Sequence, residues 1–139
     1  MNIPFLTRLQ GLAQPAVPGP LRAQAAATVA AVRAALPELL AVAVIDIESG
    51  QALAAHSNTP RLDPAKAAPH NAEVVRQKRR ALLALALPDE KIEDILITLR
   101  GQIHLLRISR DDKRLLYLVV SPLDTNLAIA RGVLQAHSG

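Results

Sequence analysis

The sequence predicts an α+β domain built on a single five-stranded antiparallel sheet with helices on both faces, in the order α-β-β-α-β-β-β-α. Three observations predict it. Stretches with apolar residues at helical spacing occur near the start, in the middle and at the end of the chain, and runs rich in Val, Ile and Leu separate them. The three runs between residues 92 and 121 are joined only by "RGQ" and "SRDDK", and connections that short force antiparallel neighbours. The chain has 139 residues, 50 % of them hydrophobic, which suits one domain with a real core.

The first element is an arm. Residues 1–20 read as an N-terminal arm and linker. Ile3, Phe5, Leu6, Leu9 and Leu12 make the arm apolar, and Pro15, Pro18, Gly19 and Pro20 make a stiff linker behind it. Two destinations are open to the arm, a groove of the domain itself or another protein. The domain is expected over 21–139. Leu21, Ala25, Val29, Val32 and Leu36 fall on one helical face, and Pro37 stops the continuation.

Val42, Val44, Ile45 and Ile47 favour strand because they are β-branched. "ESGQ" supplies a glycine for the reversal, and Ala52–His56 returns. "NTPRLDPAKAAPH", with three prolines, reads as a loop. A helix is expected over Ala72–Leu87, with Val75, Leu82 and Leu85 as its apolar face and Pro88 as its stop. Strands are expected at Ile92–Leu99, Gln102–Ile108 and Arg114–Ser121. In the closing helix Ser121, Pro122 and Asp124 have the spacing of an N-cap, an N1 proline and an N3 acid. Leu123, Leu127, Ala130 and Leu134 continue it at helical spacing.

Composition excludes several kinds of chemistry. There is no cysteine, hence no disulfide, thiolate zinc site or cysteine nucleophile. One Tyr and one Phe leave almost no rings for stacking on bases. No apolar run approaches the ~18 residues of a membrane span, and the start lacks the pattern of a secretory signal, so a cytoplasmic protein is expected. The net charge is +4, with the basic "RQKRR" shortly before the acidic "PDEKIED". Neighbouring patches of opposite sign suit a protein partner better than nucleic acid, which favours a surface of one sign.

No catalytic signature stands out. His56, His70, His104 and His137 have no metal-like spacing, and there is no Gly-rich phosphate loop or Gly-x-Ser-x-Gly elbow. Ser57, His104 and Asp46 could be assembled into a triad on paper, but a chain of this length always offers such sets. Asp111-Asp112 reads as turn chemistry. No catalytic residue, cofactor or metal is expected.

Three segments resemble the roadblock/dynein light-chain family, which has a profilin-like fold, in its bacterial type. "AVAVIDIESGQALAAHS" is similar to the opening hairpin of that family, and "ILITLRGQIHLLRI" to its third and fourth strands. "LVVSPLDTNLAIARGVL" is similar to its last strand and helix, where Asn126-Leu127-Ala128-Ile129 stands in the place of an Asn-Leu-Gly-Leu-like sequence. The resemblance spans about residues 38–136. It implies a non-enzymatic adaptor, commonly a homodimer or heterodimer, that binds a Ras-like small GTPase and modulates its nucleotide state or location. It also implies dimerisation through the middle helix and the third strand, which makes Val75, Leu82, Ile95, Ile97 and Leu99 candidate interface residues. Arg76, Lys78, Arg79 and Arg80 are the candidate partner contacts. The alternatives are a profilin-like sensor of a small molecule and a general interaction scaffold.

Overall fold

The computed structural model describes residues 17–139, so the arm expected over 1–20 lies largely outside the described residues. Eight elements make up the described chain: α1 (Gly19–Ala35), β1 (Ala41–Asp46), β2 (Ala52–Ser57), α2 (Pro64–Ala84), β3 (Asp94–Thr98), β4 (Ile103–Ile108), β5 (Arg114–Val120) and α3 (Leu127–Ala136). The strands form one sheet in the order β2-β1-β5-β4-β3, with every pair antiparallel. This is the predicted α+β class and element order. The last strand in sequence is the central one in space, and β2 and β3 are the edges.

Each face of the sheet carries its own core. On one, α1 and α3 cover Val42, Val44, Leu105, Leu116 and Leu118 with Ala25, Val29, Val32, Ala130 and Leu134. On the other, α2 sets Ala68, Ala72 and Val75 against Ala41, Ala43, Ile45 and Tyr117. Because β1 and β5 are covered on both sides, they read as continuous apolar runs, without the alternation of a half-exposed strand. Alanines on both partners let α2 approach the sheet closely. Gly50 belongs to the same contact: a Cβ there would stand 3.2 Å from the Pro69 Cα, and its φ of +74° already favours glycine.

Two helices differ from the sequence expectation at their boundaries, α2 at both ends and α3 at its start. Helix α2 starts at Pro64, well before the predicted Ala72, because Asp63 caps it: Oδ1 accepts from the Ala65 and Lys66 amides at 3.1 and 3.2 Å. Pro64 then sits at N1, where a missing N–H costs nothing. A proline that reads as a loop signal therefore begins a helix, and Pro69 lies in its interior. The helix ends at Ala84, so Leu85 is no part of its apolar face. Ala86 turns left-handed at φ 57°, with its amide bonded to the Leu83 carbonyl and the Leu87 amide to that of Leu82, both at 3.0 Å. That is the Schellman pattern, made without its usual glycine.

Helix α3 starts at Leu127 and not at Pro122. Asn126 is its cap, with Oδ1 accepting from the Ile129 amide at 3.1 Å. Ser121 instead closes a separate turn, where its carbonyl accepts from Asp124 and Thr125 and its Oγ from Leu123. Leu123 is 93 % exposed in that turn.

Candidate protein-interaction face

The α2 side of the sheet is only partly covered. Helix α2 lies over β1, β2 and part of β5, and β3 projects beyond it as the sheet edge, hydrogen-bonded only to β4. Ile95 and Ile97 lean onto the α2-side core, whereas Leu96 and Leu99 are 44 % and 46 % exposed. The outer backbone of β3 is thus an unpaired template beside apolar side chains. Leu83, Leu85 and Leu87, at the end of α2, are exposed as well.

Between the outer flank of α2 and the segment leading into β3 runs a groove of about 610 Å³. Val74, Leu82, Leu87, Ile92 and Ile95 supply its apolar lining, and Lys78, Glu90, Lys91 and Glu93 stand around it.

The five candidate interface residues divide. Leu82 and Ile95 line the groove, and Ile97 and Leu99 lie along or just past β3. Val75 does not belong with them. It is 0 % exposed, clamped between α2 and the sheet, because its position on the helix puts it one turn from Ala72 on the inward face.

The basic cluster divides too. Arg76 turns back onto its own chain, where its Nη1 donates to the Ile47 carbonyl and its Nε to Glu73 Oε2 at 2.9 Å. Arg79 donates from Nη2 to the Asp112 carbonyl at 2.7 Å. These two guanidinium groups tie α2 to the β1–β2 and β4–β5 turns, which removes most of their capacity for a partner. Arg80 only skirts Glu73, at 3.6 Å, and Lys78 is exposed at the groove. Glu73 is held below the usual carboxylate range, first by its bond from Gln77, then by that from Arg76.

The paper triad is not assembled. In the sheet register Ser57 opposes Ala41, Ala41 opposes Val119 and Val119 opposes His104, so Ser57 and His104 share a row but stand three strand spacings apart. At about 4.8 Å per spacing that is roughly 14 Å. Asp46 is at the other end of β1, where its Oδ2 accepts from the Ser49 amide at 2.9 Å. Ser57 Oγ donates to the Thr59 carbonyl at 2.6 Å and closes a turn. Asp111 also does turn work. Its Oδ1 accepts from Ser109 Oγ at 2.6 Å, and that bond is the main cause of its lowered pKa.

Sequence reasoning missed one polar pair on this face. Tyr117 Oη lies 3.1 Å from His104 Nδ1, and His104 Nε2 lies 3.0 Å from Gln102 Oε1. Gln102 has only an acceptor to offer from that oxygen, so His104 carries its proton on Nε2 and accepts from the Tyr117 hydroxyl on Nδ1. Burial holds the histidine pKa below its ordinary value and raises that of the tyrosine. The cross-strand diagonal between 104 and 117 was the available signal, legible only once β4 and β5 are paired in register.

Neither a protein-family model nor a curated protein sequence matches the chain. Solved structures do. MglB of Myxococcus xanthus superposes with a TM-score of 0.76 at 13 % identity, covering 89 % of both chains. A Roadblock/LC7 domain from Streptomyces avermitilis gives 0.69 at 9 % identity, over 81 % of this chain and 90 % of that one. A structure described as MglB with a tetrameric arrangement gives 0.68 at 17 % identity, over 84 % and 85 %. What survives at such identities is the path of the backbone, and on that ground the chain has the Roadblock/LC7 fold.

Proposed function

We propose that the chain is a non-enzymatic, dimeric adaptor of the roadblock type that binds a Ras-like small GTPase and modulates its nucleotide state or location. The observation that carries this reading is the unpaired β3 edge beside the exposed flank of α2, in a fold shared with MglB. Antiparallel pairing of two β3 strands about a two-fold axis continues the sheet and covers Leu96, Ile97 and Leu99, and an isologous contact is the commonest kind. The resemblance between a solved tetrameric MglB and this chain supports association of copies. The GTPase part of the reading rests on the family resemblance in the sequence, as does the cytoplasmic setting. Among the described residues no helix is long and apolar enough to cross a membrane.

Binding without catalysis accords with what the polar groups do. Ser57, Asp46, Asp63 and Asp111 are each engaged in turns or caps of their own chain. The sensor alternative needs room between sheet and helix, but the space under α2 is occupied by Ala68, Ala72, Val75 and Tyr117.

The test is retention of partners by the tagged protein from its own cell extract, in excess GDP and in a non-hydrolysable GTP analogue. The expected result is a small GTPase retained preferentially in one nucleotide state. Equal absence in both arms removes the regulatory reading and leaves the fold.

A further inference from the structure

We propose that the edge of β2 is a docking strand for an extended, acidic segment of a partner protein, which joins the sheet antiparallel to β2. β2 is bonded to β1 alone, at the end of the sheet away from β3. The Asn58 amide donates to the Leu40 carbonyl at 2.8 Å, so the ladder residues that face β1 are Asn58, His56 and Ala54. Ala55 and Ser57, between them, turn their amides and carbonyls outward. Those four backbone groups have no hydrogen-bond partner among the described residues.

Edges that stay single are guarded by charge, proline or a bulge. From Gln51 to Ser57 there is no charged residue and no proline, and Ala52, Ala54 and Ala55 leave the backbone open to approach. The register slips only at Leu53, which leaves Ala54 to Ser57 regular. A second copy is the poorer occupant. In the proposed dimer, whose β3 edges already pair, β2-to-β2 pairing would prolong the sheet without closing it.

The side chains of an added strand also have a place to go. Ala55 and Ser57 oppose Ala43 and Ala41, which face the α2-side core, so residues paired with them point to the α2 side as well. On that side a concavity of about 550 Å³ lies between β2 and the start of α2, with Pro60, Leu62 and Pro64 as its apolar lining and Thr59 as a polar one. Just past β2 come Arg61 and Lys66, both exposed and without an ion-pair partner among the described residues. Asp63, the acid between them, is engaged as the α2 cap. An antiparallel segment meets these cations with the residues that precede its paired ones, and acids belong there.

The inference concerns the edge opposite β3 and stands whether or not a GTPase binds. The probe is the peptide acetyl-Asp-Glu-Ser-Val-Thr-Val-Thr-amide, whose valines pair with Ala55 and Ser57. The readout is amide hydrogen exchange of the full-length protein, with affinity from peptide titration. The peptide is expected to slow exchange at Ala55 and Ser57 and to leave β3 unchanged. Ala55→Pro removes an outward donor without breaking a bond to β1, and should weaken binding about tenfold. N-methylation of both valines makes the same test on the unaltered protein and should abolish binding. Arg61→Glu with Lys66→Glu should weaken this peptide and favour one with Lys-Lys in place of Asp-Glu. No slowing of either amide at any soluble peptide concentration overturns the proposal, as does equal binding of the N-methylated peptide. Slowing at Ala55 and Ser57 in the protein alone, as its concentration rises, also overturns it, because the occupant is then a second copy.

Discussion

Arg131 on α3 holds Asp94 on β3 through two contacts, Nε to Oδ2 at 2.9 Å and Nη2 to Oδ1 at 3.3 Å. Arg107, across the β3–β4 ladder, approaches the same carboxylate at 3.8 Å, and its Nε is buried with no partner among the described residues. Asp94 thus neutralises two cations, one of them mostly buried. Removing the acid and removing the exposed arginine should differ sharply. Asp94→Asn is expected to destabilise the protein by about 2 to 3 kcal/mol, since it strands the Arg107 charge. Arg131→Ala should cost under about 1 kcal/mol, as expected for a half-exposed pair. Urea denaturation of the two variants decides it, and equal losses would contradict the account.

Two left-handed residues predict opposite signs. Ala86 forms the helix-ending turn at φ 57°, and Ala86→Gly is expected to raise stability by about 0.5 to 1 kcal/mol by relieving the Cβ penalty. At Gly50, also left-handed, Gly50→Ala adds that penalty and brings the new methyl within 3.2 Å of backbone at Pro69. A loss of about 2 kcal/mol or more is expected there. Thermal melts of both variants check the pair.

His104 gives a pH dependence. Its folded pKa is below its unfolded value, so the unfolded chain binds more protons in the window beneath the ordinary histidine value. Stability from this group is complete above about pH 6.5 and is lost as pH falls through the folded pKa. Protonation also removes the Nδ1 acceptor used by the Tyr117 hydroxyl. The drop in melting temperature from about pH 7.5 to about pH 5, a window that brackets the ordinary histidine value, should be smaller in His104→Asn than in the parent. An unchanged drop would mean the histidine is not kept neutral.

The four basic residues of α2 should separate into two classes. Arg76→Ala and Arg79→Ala are each expected to lower stability by about 1 to 2 kcal/mol, because carbonyls under the helix lose charged donors. Lys78→Glu and Arg80→Glu should leave the melting temperature within about a degree or two, as surface changes do, and should reduce retention of a GTPase in the pull-down. If all four variants lower retention only in proportion to lost stability, the cluster is no contact surface.

The edge of β3 can be tested without knowing the partner. Leu96→Lys puts a charge at the middle of the exposed strand, the device by which natural edges avoid pairing. It should shift the sedimentation coefficient from dimer to monomer with little change in far-UV circular dichroism. A parent protein that sediments as a monomer at high concentration would remove the dimer from the proposal.

Much of this architecture was legible in the sequence. Val42 to Ile47 and Leu115 to Val120 carry enough β-branched and leucine side chains that burial on both faces and propensity agree. The boundaries were harder where two signals compete. Pro64 reads as a loop until Asp63 is recognised as its cap, and Ser121-Pro122 looks like a better cap than Asn126. The choice there is made by where β5 ends and how far the chain must travel to place Leu127 and Leu134 on the sheet. The α2–β3 face could be outlined from the sequence but not divided residue by residue. Val75 and Leu82 both look apolar and inward on a helical wheel, and only the width of the sheet under α2 shows that the first is roofed over and the second is not. Arg76 and Arg79 likewise find their carbonyl partners 29 and 33 residues away in the chain, beyond the reach of local pattern.

The position of β5 also has a consequence for biosynthesis. The strand between β1 and β4 is the last to leave the ribosome, so until residue 120 has emerged the nascent chain holds two hairpins with nothing to join them. Each has an open edge on the side that β5 will fill. The core cannot close before β5 has emerged, and long-range closure of this kind is slow and exposes apolar surface meanwhile. A product truncated in the β4–β5 turn would keep every residue of α2 and β3 and still be a substrate for chaperones and proteases.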